Sequence, residues 1–134
     1  MIDWAAVRHF KESEFACKGR SCCGGESKIQ PALVYELDKL REQYGRALVV
    51  TSGYRCPKHN QDVSTTGPAG PHTTGLAVDL AVSGRDAWTV LRLAMESRQW
   101  TGIGVHQSGY GRFLHLDMIP DSHAHRRPWI WSYV

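Results

Sequence analysis

The spacing of apolar residues changes several times along the chain, and each change marks an element. In IQPALVYELDKLREQYG, Ile29, Leu33, Val34, Leu37, Leu40 and Tyr44 recur at three- and four-residue steps, the period of one helical face. Pro31 suits the first turn of that helix and Gly45 its end. ALVVTSGYR (47–55) reads as a strand running into a turn. Residues 56–71 hold Pro57, Gly67, Pro68, Gly70 and Pro71 and read as a long loop, of a length that usually carries function. GLAVDLAV (75–82) is a second strand. A second helix follows, capped by Ser83, with Ala87, Val90, Leu91, Ala94 and Met95 on its inner face. TGIGVHQ (101–107) and RFLHLDMI (112–119) are two further strands joined by the turn-rich SGYG. The aromatic tail RRPWIWSYV is expected to pack back on the body. Residues 1–28 form a short amphipathic start and a Cys/Gly loop. The fold class is therefore α+β: a small, mostly antiparallel sheet with helices packed on it.

Period-two alternation also sorts the polar residues. In the second strand Leu76, Val78 and Leu80 face one way, and Ala77, Asp79 and Ala81 the other. In the last strand Phe113, His115 and Asp117 face away from Leu114, Leu116 and Met118. His72 enters from the Gly/Pro loop just before the second strand. His72, Asp79 and His115 form a His₂Asp set of the kind that holds a catalytic zinc with one open position. The plainer reading is a hydrogen-bonded structural histidine and an aspartate that caps a turn. A metal would account for a carboxylate in an apolar strand, because a buried unpaired charge is costly.

Length and charge limit the function. The 134 residues suit a single domain, 1–134. The net charge of +3 is a mild excess, and basic residues are scattered except for Arg126–Arg127, so nucleic acid is not an expected partner. No apolar run reaches about 18 residues, so no stable membrane insertion is expected. MIDWAAVRHFKESEF carries charges throughout and lacks the apolar core of a signal peptide. Synthesis in the cytoplasm and a monomeric state are the corresponding expectations. Three of the four cysteines, Cys17, Cys22 and Cys23, crowd into CKGRSCCGG, with Cys56 far off. A zinc knuckle completed by Cys56 and His59, free thiols, or a disulfide formed after release from the cytosol all fit that pattern.

Three stretches in order, SGYRCPKHN (52–60), GPHTTGLAVDL (70–80) and GIGVHQSGYGRFLHLD (102–117), resemble the motifs of the zinc D-Ala-D-Ala carboxypeptidases, the hedgehog-like metallopeptidases that cut peptidoglycan peptides. HFKESEFACKG and RPWIWSY resemble the small phage and prophage members. The resemblance implies a hedgehog/DD-peptidase-like fold, a Zn²⁺ cofactor, and His72, Asp79 and His115 as its ligands. It gives Arg55 the task of binding substrate and steadying the polarised carbonyl. It implies peptidoglycan stem peptides as partners, cut as a carboxypeptidase or as an endolysin-like endopeptidase. Action in the cell wall after release, or from a phage particle, follows; a non-catalytic binding module of the same fold is the alternative. Two positions depart from the pattern. Gly70 stands where relatives often have Ser, so a polar contact is missing or comes from Ser64, Thr65 or Thr73. Arg112 stands where many have an acidic base. Asp117 is the substitute base, or else an acceptor that orients a ligand histidine. His106 is expected at the site edge as an acid or substrate contact, and His59 as a brace of the long loop. His123-x-His125 competes with His115 for the third ligand position, and His115 is favoured by its strand context.

Overall fold

The computed structural model describes residues 1–133. Three helices, α1 (Pro31–Tyr44), α2 (Pro57–Val63) and α3 (Gly84–Ser97), accompany five strands: β1 (Val50–Ser52), β2 (Ala77–Leu80), β3 (Gly102–His106), β4 (Phe113–Asp117) and β5 (Trp129–Ser132). The strands form one sheet in the order β1-β2-β4-β3-β5. All pairs are antiparallel except β3 with β5, which run parallel. The architecture is the expected α+β, with a mixed sheet.

The two faces of the sheet have separate work. Val78, Leu80, Ile103, Leu114 and Leu116 point to one side and bury against Leu33, Val34 and Leu37 of α1 and Val90 and Ala94 of α3. Burying each such side chain stabilises the fold by roughly 1.5–3 kcal/mol. Met95, expected on the inner face of α3, is instead exposed. It lines a surface hollow with Trp88 and Leu91, because the apolar stripe of α3 is narrower than its sequence spacing indicates.

The opposite face carries the polar residues in rungs. One rung crosses Ser52, Asp79, His115, Gly104 and Trp131; the next crosses Ala77, Asp117, Gly102 and Trp129. The two glycines of β3 clear this face. A side chain at Gly102 would run into the Asp117 carboxylate, and one at Gly104 would come within 2.7 Å of Trp131 Nε1. The sequence TGIGVH thus alternates an empty site face with the buried Ile103.

The expected loop and the aromatic tail both hold regular structure. Pro57 opens α2 at its first turn, and the Cys56 thiol accepts from the His59 amide at its start. The aromatic tail forms β5 on the sheet edge; its last residue, Val134, lies outside the described residues.

Candidate metal centre

His72, Asp79 and His115 come together on the polar face. Each contributes one ligand atom, all within 4.8 Å of one another, and all three residues are buried. Asp79 and His115 are direct cross-strand partners on β2 and β4. His72 sits on a short 3₁₀ turn, Pro71–Thr74, that leads into β2.

The outer nitrogens of both histidines are anchored. His72 Nδ1 lies 2.8 Å from the Gly53 carbonyl, and His115 Nε2 lies 2.8 Å from Asp117 Oδ2. A carbonyl and a carboxylate only accept, so each outer nitrogen carries the proton. In the neutral rings, the inner nitrogens then present lone pairs. Those inner atoms, His72 Nε2 and His115 Nδ1, stand 3.3 and 3.1 Å from Asp79 Oδ1. Three acceptors aimed at one point repel unless a cation sits among them. Zinc bonds of about 2.0–2.1 Å in a tetrahedron place ligand atoms about 3.3–3.4 Å apart, close to these spacings. The donor set therefore fits zinc.

Without a metal, protons take its place. Burial opposes charge on His115, but hydrogen bonds to Asp117 and Asp79 outweigh it and raise its pKa. Burial likewise pushes the Asp79 carboxyl up, yet hydrogen bonds from His115 and His72 hold it well below the usual carboxylate range. Burial dominates at His72 and lowers its pKa.

Asp117 is completely buried. Arg127 grips it with a two-point fork, Nε to Oδ1 at 2.9 Å and Nη2 to Oδ2 at 2.7 Å, and the Ile119 amide adds a third contact. The guanidinium also lies over the Trp131 ring at 5.2 Å, and Trp131 sits 5.0 Å from the His115 ring. Burial raises the Asp117 carboxyl, but the bonds from His115 and Arg127 prevail and draw it down to about 2. A carboxyl held below its ordinary value stabilises the fold above about pH 4 and loses that effect as pH falls through about 2. Urea denaturation from pH 5 to pH 2 is expected to show stability falling across this range. Asp117→Asn, which cannot ionise, should flatten that part of the profile.

Arg55 reaches the site from the SGYR turn. Its Nε donates to Ser52 Oγ at 3.0 Å, Nη1 to Asn60 Oδ1 at 3.2 Å, and Nη2 lies 3.5 Å from Asp79 Oδ2. Its backbone amide donates to the His72 carbonyl, which ties the arginine to the ligand turn.

A cleft of about 1130 Å³ opens over these groups. One wall is 63–71 with Asn60; the other is built by His123–Arg127 and by Trp129, Trp131 and Tyr133. Asn60 pins the first wall, donating to Thr66 Oγ1 and the Gly67 carbonyl. Thr66 also resolves the departure at Gly70. A side chain at Gly70 would collide with Thr66 Oγ1, so the Thr66 hydroxyl fills that space, bonded to Ser64 Oγ at 2.9 Å, while Thr73 Oγ1 donates to the Gly70 carbonyl at 2.7 Å.

The expected site residues thus divide. His72, Asp79, His115 and Arg55 line the cleft; Asp117 and His106 do not. Asp117 faces His115 and Arg127, the arrangement of an orienting acceptor. His106 is screened from the cleft, its ring packed on Phe113 and Tyr133 at 5.3 and 6.3 Å. His123 and His125 line the same cleft but are not among the three grouped ligand residues. Arg127 and Trp131 are not singled out by sequence as site residues, and no local pattern marks either one.

A buried His₂Asp set under an arginine, at the floor of an open cleft on an α+β sheet, is a candidate metal centre. The chain belongs to the peptidase M15 family: the family model described as Peptidase M15 matches residues 8–117. A comparison with curated proteins found no match.

Proposed function

We propose that the chain is a zinc-dependent peptidase that hydrolyses peptide bonds in peptidoglycan stem peptides. The observation that carries this reading is the convergence of three acceptor atoms on one point at the cleft floor, beside Arg55. Zinc bound there supplies a Lewis acid that polarises a carbonyl and acidifies water. Arg55, with two of its nitrogens already held by Ser52 and Asn60, presents a fixed guanidinium for a substrate carboxylate or a developing oxyanion. The aromatic wall of Trp129, Trp131 and Tyr133 gives the peptide a flat surface. Residues 61–71 form the opposite, specificity-setting wall.

Asp117 acts as a positioning residue: it fixes the tautomer and tilt of His115. Asp117→Asn is expected to lower zinc affinity about 10–100-fold, and excess zinc should restore most of the activity. A catalytic base would not be rescued by metal, so an inactive, zinc-saturated variant would overturn this assignment. Proton acceptance falls to His123 and His125 on the far wall. Replacing both by Ala should cut kcat about 10²–10⁴-fold with zinc content unchanged.

Digestion of purified sacculi, with and without chelator, followed by mass spectrometry of the released peptides, tests the function. The expected products are new termini at D-Ala–D-Ala, L-Ala–D-Glu or a cross-bridge. Action in the cell wall, as a phage lysis or particle-borne enzyme, fits the same reading. One observation favours a non-catalytic binding module instead: among the described residues, no carboxylate but Asp79 lines the cleft. Zinc binding with intact sacculi would decide for the module.

A further inference from the structure

A second convergence of ligand atoms lies outside the cleft lining. Cys17, Cys22, Cys23 and Cys56 bring their four sulfurs within 4.8 Å of one another. Cys17 and Cys56 are buried, the other two half-buried, and all four are free thiols. We infer that these four cysteines bind a structural zinc ion that fastens the N-terminal loop to the segment carrying Arg55.

The spacing of the sulfurs is specific. Cys22 Sγ stands 3.8 Å from both Cys17 Sγ and Cys23 Sγ. A tetrahedral Cys₄ zinc site with bonds of about 2.3 Å has sulfur–sulfur edges of about 3.8 Å. A disulfide needs about 2.05 Å, so this is the separation of co-ligands, not of a bonded pair. Two backbone amides donate to the cluster: Cys56 N to Cys17 Sγ and His59 N to Cys56 Sγ, each at 3.4 Å. Such donors favour the thiolate form that zinc requires. Gly19 lets the loop close, since a side chain there would collide with Cys22 Sγ and meet the His59 ring at 3.0 Å. Lys58 Nζ, donating to the Ser21 carbonyl, ties α2 to the same loop. The sulfur set is complete without His59, the fourth ligand that a Cys-x-x-His pattern offers.

The cluster's position gives it a role. Cys56 follows Arg55 directly and caps α2, whose Asn60 holds the Arg55 guanidinium. The preceding Tyr54 amide donates to the Phe15 carbonyl at 2.8 Å. A metal at this point therefore fixes both chain segments that aim Arg55, in a domain with a modest core. The inference stands on the thiols alone and does not depend on the proposed function.

Metal analysis of the full chain, purified under reducing conditions, tests it. Wild type is expected to hold two zinc ions per chain. His72→Ala/His115→Ala should hold one, with four thiols that react with a mercurial only as that zinc is released. Reconstitution of the same variant with cobalt(II) should give thiolate-to-cobalt charge-transfer absorption, lost in Cys22→Ser/Cys23→Ser. A His72→Ala/His115→Ala chain that holds no zinc, shows a disulfide by mass, or gives no charge-transfer band overturns the inference, even if the cysteine variant fails to fold.

Discussion

Asp79→Asn is expected to reduce sacculus hydrolysis by about 10³-fold or more, equivalent to at least about 4 kcal/mol of transition-state stabilisation. The change is nearly isosteric, so packing beside Ala77 and Val78 is preserved. What it removes is the one negative charge among three converging acceptors. The inner nitrogens of His72 and His115, with their outer nitrogens held by Gly53 and Asp117, would then meet a neutral amide. That amide can donate to one of them, but the carboxylate's contacts with both rings and with Arg55 are lost, so the metal-free fold should be destabilised as well. Wild type should gain melting temperature when zinc is added after chelation, beyond any gain from the cysteine cluster. Asp79→Asn should lack this increment. Retention of a tenth of wild-type turnover with normal zinc content would sink the ligand assignment.

The second large effect concerns Arg127. Arg127→Met should destabilise the fold by roughly 3–5 kcal/mol, because it leaves the Asp117 carboxylate buried without its cation. It also strips the cation from the face of Trp131. Zinc affinity should fall as well, since Asp117 then loses the fork that holds it in place to orient His115. Arg127→Lys should recover only part of the loss, as an ammonium cannot match the two-point fork. The pair is best measured as a double-mutant cycle in urea: Asp117→Asn on the Arg127→Met background should restore much of the stability. Simple additivity would show that the two side chains are not coupled.

Much of this was readable in the sequence, for identifiable reasons. β2 and β4 are short and buried, so their alternation places Asp79 and His115 on one face without any tertiary knowledge. α1 declares itself through a regular apolar stripe between Pro31 and Gly45. α2 is hidden because Pro57 and the Gly/Pro run that follows it at 67–71 dominate the local signal, while the helix is held by the Cys56 cap and by Asn60 side-chain bonds to Arg55, Thr66 and Gly67 that residue spacing does not reveal. β5 is hidden because its Trp129 and Ile130 are exposed and its partner, β3, is parallel and far back along the chain. The role of Arg127 cannot be read locally at all, since it depends on β5 bringing residue 127 over residue 117. Alternation does put His106 on the polar face, but strand parity says nothing of Phe113 and Tyr133, which come between it and the cleft.

The hydroxyl at the cleft wall bears on how relatives of this chain can diverge. Thr66 Oγ1 occupies the space that a side chain at position 70 would take. The two positions therefore trade one functional group between them and cannot vary independently. Gly70→Ser alone produces a collision, and Thr66→Ala alone leaves Asn60 without its hydroxyl partner. The exchange is expected to be tolerated in combination and costly at each single step, a sign epistasis imposed by one shared space. A library that randomises this wall to change peptide preference should couple the codons for 66 and 70, or it will discard its own best members at the first round.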